Sequence, residues 1–258
     1  LGEIATAAGV NAVTTSVVVT NNVINLDYDF DNDITVTLTG ADGDSVVANA
    51  AFDNKLTVAI KDSLLVSDGT FGAADDDDKL TAGTNTEDTL LITGSGTAIS
   101  SADMTDVTLF EKITIANDAD VSLTLNNANV ASTKTLSIDA SAMTSSTSNL
   151  VLDLSAETNG DIDVLGGAGG DTITISQSTY AESINAAAGD DSIVFDSANL
   201  TSIDVIDGGD GTDTMMVSDD TAMIDADFTN VTNVEVLSSD AAGISTIATI
   251  GAEAMEAG

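Results

Sequence analysis

Ala102-Asp-Met-Thr-Asp-Val-Thr-Leu-Phe-Glu-Lys-Ile113 returns 124 positions later as Ala226-Asp-Phe-Thr-Asn-Val-Thr-Asn-Val-Glu-Val-Leu237, with six of twelve residues identical. Just upstream, Asp88-Thr-Leu-Leu-Ile92 reappears 125 positions on as Asp213-Thr-Met-Met-Val217. A longer echo joins the two ends. Leu1-Gly-Glu-Ile-Ala-Thr-Ala-Ala-Gly9 and Ile250-Gly-Ala-Glu-Ala-Met-Glu-Ala-Gly258 lie 249 positions apart and share Gly2/Gly251, Ala5/Ala254, Ala8/Ala257 and Gly9/Gly258. Two half-units thus make one unit, and self-similarity at a fixed period is the signature of stacked repeats. We read the chain as one period of a longer polymeric sequence, and expect a building block whose terminal motifs occupy equivalent positions in successive units.

Composition restricts what such a unit can be. Five lysines, Lys55, Lys61, Lys79, Lys112 and Lys134, face 43 carboxylates with no Arg and no His, a formal charge of -38 over 258 residues. That field repels nucleic acid and anionic membrane surfaces, and it opposes compaction unless cations gather on it. Disorder would pair such charge with low hydrophobicity, yet 43% of the residues are hydrophobic. Aromatics are only 3% and Pro is absent, which suits thin layers of uninterrupted strands. Cys is absent too, so neither a disulfide nor a thiolate metal site can form. No apolar run approaches the roughly 20 residues of a membrane helix.

Strand signals recur along the whole chain. Thr14–Val19, Asp33–Leu38, Lys55–Ile60, Thr89–Thr93, Lys112–Ile115, Val121–Leu125, Thr135–Ile138, Asn149–Leu154, Thr172–Ser176 and Val234–Leu237 alternate apolar with small polar residues. Period-two alternation predicts strands with one buried face, and the clusters of Asp, Asn, Gly, Ser and Thr between them predict turns. Short strands with no helical crossover leave a parallel solenoid or a sandwich. The repeats decide for an all-β, elongated parallel β-solenoid of the β-helix or β-roll kind, with 1–258 as one unit. Residues 10–75 lack the later Gly-rich motif, and a less regular or sandwich-like part there is the alternative. Helix is expected only at 1–9 and 250–258, with short helical turns conceivable at Ala7–Val10 and Ala241–Ile244.

One motif carries chemistry. Gly166-Gly-Ala-Gly-Gly-Asp-Thr-Ile-Thr174 and Gly208-Gly-Asp-Gly-Thr-Asp-Thr-Met-Met216 both fit Gly-Gly-x-Gly-x-Asp-x-apolar-x. Ala186-Ala-Ala-Gly-Asp-Asp-Ser-Ile-Val194 keeps the third Gly, the Asp and the apolar residue. Glycines permit φ > 0, so carbonyls can turn inward, and the Asp offers a hard anionic ligand at the end of the turn. Calcium wants about 6 to 8 oxygens, more than one loop supplies, so stacked loops must share an ion. The copies start at 166, 186 and 208, steps of 20 and 22, long enough for one solenoid turn each. Asp171, Asp191 and Asp213 are therefore expected one above the next along a single edge, in calcium-binding rungs spanning 160–220. Ala186 and Ala187 strain the middle loop wherever φ > 0 is required, at roughly 1 kcal/mol each.

Other acidic features have plainer readings. Asp88 occupies the place of Asp213, but Ala82-Gly-Thr-Asn-Thr-Glu87 is poor in glycine and reads as an ordinary polar turn. Asp75-Asp-Asp-Asp-Lys79 matches a protease-cleavage tag, yet reads as a solvated acidic turn, and Asp29, Asp31 and Asp33 read as a solvated strand face. Catalysis is not expected. Without His or Cys the usual nucleophile and base pairs are missing, and a polysaccharide lyase would need cations that five dispersed lysines do not supply.

These loops, the connection Asn199-Leu-Thr-Ser-Ile-Asp-Val-Ile-Asp-Gly-Gly209 and the paired Ala-Asp-x-Thr-x-Val-Thr-x-x-Glu motif resemble the repeat regions of RTX-class bacterial surface-layer proteins and giant adhesins. The similarity covers most of 80–258; residues 10–79 share only composition. The resemblance implies type I secretion to the bacterial cell surface, calcium-driven folding outside the cell, and self-association into a layer or filament, with a cell-surface glycan as a further candidate partner. It implies calcium binding at Asp171, Asp191 and Asp213, supported by Gly167, Gly169, Asp190, Gly209, Asp210 and Gly211. The alternatives are the stalk of a large adhesin, or a calcium-binding accessory module of a secreted polysaccharide-modifying enzyme.

Overall fold

The computed structural model describes residues 14–15, 23–26, 34–37, 45–48, 56–60, 79–82, 88–92, 97–101, 104–105, 107–115, 119–175, 180–219 and 223–239. The terminal motifs, Asp29, Asp31, Asp33, the run 75–78, the turn 83–87 and the Ala-rich segments at 7–10 and 241–244 lie outside the described residues.

In chain order the first strands are β1 (Thr14–Thr15), β2 (Val23–Leu26), β3 (Ile34–Thr37), β4 (Ser45–Ala48), β5 (Leu56–Ile60), β6 (Lys79–Thr81) and β7 (Thr89–Ile92). Then come β8 (Thr97–Ile99), β9 (Val107–Thr108), β10 (Lys112–Ile115), β11 (Val121–Thr124), β12 (Thr135–Asp139), β13 (Leu150–Asp153) and β14 (Asp161–Leu165). The last are β15 (Thr172–Thr174), β16 (Glu182–Asn185), β17 (Ser192–Phe195), β18 (Val205–Asp207), β19 (Thr214–Val217), β20 (Val231–Thr232) and β21 (Val236–Ser239). A 3-10 turn at Asp225–Phe228 is the one helical element among the described residues.

The strands form an all-β parallel solenoid. A ten-stranded sheet runs β1-β3-β5-β7-β10-β12-β14-β16-β18-β20, a four-stranded sheet runs β2-β4-β6-β9, and a seven-stranded sheet runs β8-β11-β13-β15-β17-β19-β21. Within 10–75, β1, β3 and β5 enter the ten-stranded ladder and β2 and β4 the four-stranded one, all in parallel pairs.

The period-two alternation of the sequence becomes stacked columns. Leu90, Ile113, Ile138, Val164, Ile184, Ile206 and Val231 are successive partners in the ten-stranded sheet, and all are buried. Ile99, Leu123, Leu152, Ile173, Ile193 and Met215 do the same in the seven-stranded sheet. Each such side chain contributes on the order of 1.5–3 kcal/mol by leaving water. Register is fixed because a one-residue slip would turn a whole column outward.

The sequence echo turns out not to be in phase with the turns. It equates β7 with β19, β9 with β20 and β10 with β21. β7 and β10 are neighbours in the ten-stranded sheet, whereas β19 and β21 are neighbours in the seven-stranded sheet. β9 closes the four-stranded sheet, but β20 belongs to the ten-stranded one. The cause is the rung β7-β8-β9, which places one strand in each of the three sheets. Earlier rungs alternate between the ten- and four-stranded sheets and later ones between the ten- and seven-stranded sheets, so the second half-unit sits one face further round.

Local geometry is nonetheless retained. Leu109 before β10 has φ 65°, and its counterpart Asn233 before β21 has φ 53°. Asn tolerates this left-handed region better than Leu does. Leu109→Asn is therefore expected to raise the melting temperature by about 1–3 °C; a lower one in a thermal melt would mean that the corner carries no such strain.

Candidate functional site: the stacked acidic loops

The three Gly-rich loops all connect the ten-stranded to the seven-stranded sheet, as 166–171 between β14 and β15, 186–191 between β16 and β17, and 208–213 between β18 and β19. They stack directly. Gly189 N donates to Asp210 O at 2.8 Å, Asp210 N to Ala187 O at 2.9 Å, and Ala188 N to Gly167 O at 3.3 Å. The expected vertical file of Asp171, Asp191 and Asp213 is present along this one edge.

Backbone geometry divides the loops. Gly209 has φ 97° and Ala187, its counterpart in the middle loop, has φ 78°, while Ala186 stays outside the left-handed region. Gly189 and Gly211 also have positive φ, but none of Gly166 to Gly170 does. In the first loop the glycines serve close approach instead: a Cβ on Gly169 would overlap the carbonyl of Ser148, and one on Gly166 that of Ala186.

The aspartates point inward, onto the backbone. Asp171, Asp191 and Asp213 are 1%, 2% and 0% exposed. Asp171 uses both oxygens, accepting from Leu150 N and from Gly167 N at 2.8 Å each. Asp191 Oδ1 accepts from Asp171 N at 2.6 Å, and Asp213 Oδ1 from Asp191 N at 2.8 Å. Glu235 Oε2 extends the series by accepting from Asp213 N at 2.8 Å. Each carboxylate therefore caps the N–H that the rung below leaves unpaired at its corner, a strong charge-assisted bond for a buried donor. Asp191 Oδ2 and Asp213 Oδ2 are buried with no hydrogen-bond partner.

The same device recurs where the sequence pointed to a plain turn. Asp88 is 0% exposed and its N–H is capped by Glu111 Oε2 at 3.1 Å, as Asp213 is by Glu235. At the corner leading back to the ten-stranded sheet, Asp204 Oδ1 accepts from Glu182 N at 3.0 Å, and buried Glu157 Oε1 accepts from Thr158 N and Asn159 N at 2.8 and 2.6 Å. Glu111, Glu235, Asp204 and Glu157 were not singled out from the sequence. The Glu repeated in both copies of the 102–113 echo was the available signal for two of them.

Burial without counter-charge shifts these acids. Desolvation pushes Asp191 up to about 7, against the bond from Asp171 N–H, with the charges of Asp171, Asp213 and Asp190 adding to the rise. Asp171 and Asp213 are also raised, first by burial. Glu111 is pushed to about 7 by burial, with Asp88 contributing.

The side-chain carboxylates of this column do not by themselves make a calcium site. Among the described residues no three carboxylates converge on a point that could hold a metal. Both oxygens of Asp171 are committed to N–H groups, and Asp191 and Asp213 offer one buried oxygen each, so most of the roughly 6 to 8 oxygens that calcium requires would have to be loop carbonyls. Asp190 and Asp210 are exposed, and Asp190 Oδ1 is occupied by Thr212 N at 2.9 Å. The supporting Gly167, Gly169, Gly209 and Gly211 pack the loops together. No protein-family model, curated protein or solved structure matches the chain.

Proposed function

We propose that the chain is a structural building block of an extracellular bacterial layer or filament, a rod of stacked rungs that works by its shape and its contacts with further copies. The observation that carries this reading is the uninterrupted parallel stack, in which β20 and β21 are each paired on one side only among the described strands. Such edges accept further strands when they are not capped. The acidic corners make the rod's assembly sensitive to ionic conditions, because a charge of -38 opposes any approach of copies.

Electron microscopy and solution scattering over a concentration series test this. Concentration-dependent elongated assemblies are expected at moderate ionic strength. A strict monomer at every concentration overturns the building-block reading in favour of an isolated stalk. Cations are expected to act by screening, so sodium chloride and calcium at equal ionic strength should restore compactness to the same degree after transfer from low salt. A response specific to calcium, lost on chelation, would overturn that part.

A further inference from the structure

Resting on the reading of the chain as a building block, we infer that the outer face of the seven-stranded sheet is a lateral contact, where a second copy of this chain packs side by side with the first. Two columns of side chains stand on this face from β11 to β21. The first, made of Ser122, Val151, Thr172, Ser192, Thr214 and Val236, holds no charge. The second runs from Thr124 to Ser238 through Thr174, Val194 and Met216, and holds one carboxylate, Asp153. All of these residues are exposed or half-buried, Val151 at 45% and Val236 at 39%.

Charge decides what covers this face. In a chain of -38, most approaches of one copy to another bring like charges together. The outer face of the ten-stranded sheet carries Asp139, Asp161, Asp163 and Asp207 against Lys112, and Asp190 and Asp210 are exposed at the loop edge. Copies meeting there would set carboxylate against carboxylate. Two seven-stranded faces instead set hydroxyls and methyls against one another. A cationic partner would be drawn to the acidic surfaces, which leaves the neutral face to a partner with the chain's own charge.

Shape and size fit the same partner. The ladder is parallel and in register from β8 to β21, so the rows of short side chains repeat at about 4.8 Å and can interdigitate with those of a facing sheet about 10 Å away. Ser, Thr and Val lose little rotamer freedom when covered. Seven strands at that spacing span about 30 Å and their outward residues about 13 Å, so the face offers about 400 Å² on each copy and about 800 Å² in the pair. That is the area of a weak, transient contact. Single units therefore pair loosely, while rods of joined units pair firmly, because each further contact forms at high effective concentration.

Electron microscopy and solution scattering read the width of the assemblies separately from their length. In sodium chloride at about 1 M, where the Debye length is about 3 Å, wild-type rods should widen about twofold as concentration rises. Thr174→Glu rods should lengthen without widening, while Ser183→Glu, on the outer face of the ten-stranded sheet, should behave as wild type. Cross-linking gives an independent reading, because the chain has no Cys and β15 is the middle strand of the seven, which meets its own copy whichever way the second rod runs. A short bismaleimide should join Thr174→Cys into dimers and leave Ser183→Cys monomeric. Wild-type rods that lengthen and never widen overturn the lateral contact and leave the building-block reading standing. Equal loss of width in both Glu variants, or equal linking of both Cys variants, overturns it as well, since net charge or collision then explains the result. A chain that stays monomeric and unlinked removes the building-block reading with it. Retention of that monomer on an insoluble polysaccharide, lost in Thr174→Glu, assigns the face to a glycan and overturns the inference.

Discussion

Gly211→Val should cost about 2–6 kcal/mol. Gly211 has φ 154°, where side-chain-bearing residues rarely settle, and that strain alone is worth about 1–3 kcal/mol. A Cβ there would also overlap the carbonyl of Gly189 in the loop below, and overpacking of this kind costs a further 1–3 kcal/mol. The obstacle is backbone and cannot swing away. Gly189 N is bonded to Asp210 O and Asp210 N to Ala187 O just before the clash, and Thr212 N to Asp190 Oδ1 just after it, so the two loops are tied on both sides. The neighbouring Thr212→Ala, at an exposed position, should stay within about 0.5 kcal/mol of wild type. Urea unfolding of both variants measures the contrast. A Gly211→Val protein within about 1 kcal/mol of wild type would show that the loops do not stack as closely as described.

The sequence made the columns readable and left the direction of the aspartates hidden. Lys112-Ile-Thr-Ile115 and Val121-Ser-Leu-Thr124 alternate so plainly that the inward residues, Ile113, Ile115, Val121 and Leu123, follow from period alone. The steps of 20 and 22 between the loops likewise placed Asp171, Asp191 and Asp213 in one file. Spacing fixes where a Cβ sits along the edge, but not whether the carboxylate beyond it turns to solvent or to the N–H one rung below. That choice depends on the unpaired donors at the corner, which are visible only once the rungs are stacked. Asp88 shows the same limit: nothing in its flanking residues points to Glu111, 23 residues away, whose Oε2 takes the Asp88 N–H as Glu235 takes that of Asp213. The change of face between half-units was hidden as well, because β8 and β9 are strands of three and two residues with little pattern to read.

Phe195→Ala should cost about 3–5 kcal/mol, and its damage should stay local. Phe195 is the largest fully buried side chain among the described residues, in a column with Leu125, Leu154, Ile175 and Val217, all buried. Its layer is held open from above and below: Ile175 N donates to Val194 O, and Phe195 pairs with Val217 in the ladder. Rungs at a fixed spacing of roughly 4.8 Å cannot close on the void, so little of the cavity cost is recovered by relaxation. A stacked array depends on each rung and its nearest neighbours, so the loss should spread from β17 to β15 and β19 and fade before β10 and β12. Native-state hydrogen exchange resolves this, since protection falls where local opening becomes easier. Uniform loss across all these strands would mean that the solenoid opens as one cooperative body. In that case the carboxylate column of Asp171, Asp191 and Asp213 would be coupled to the whole stack rather than to its own edge.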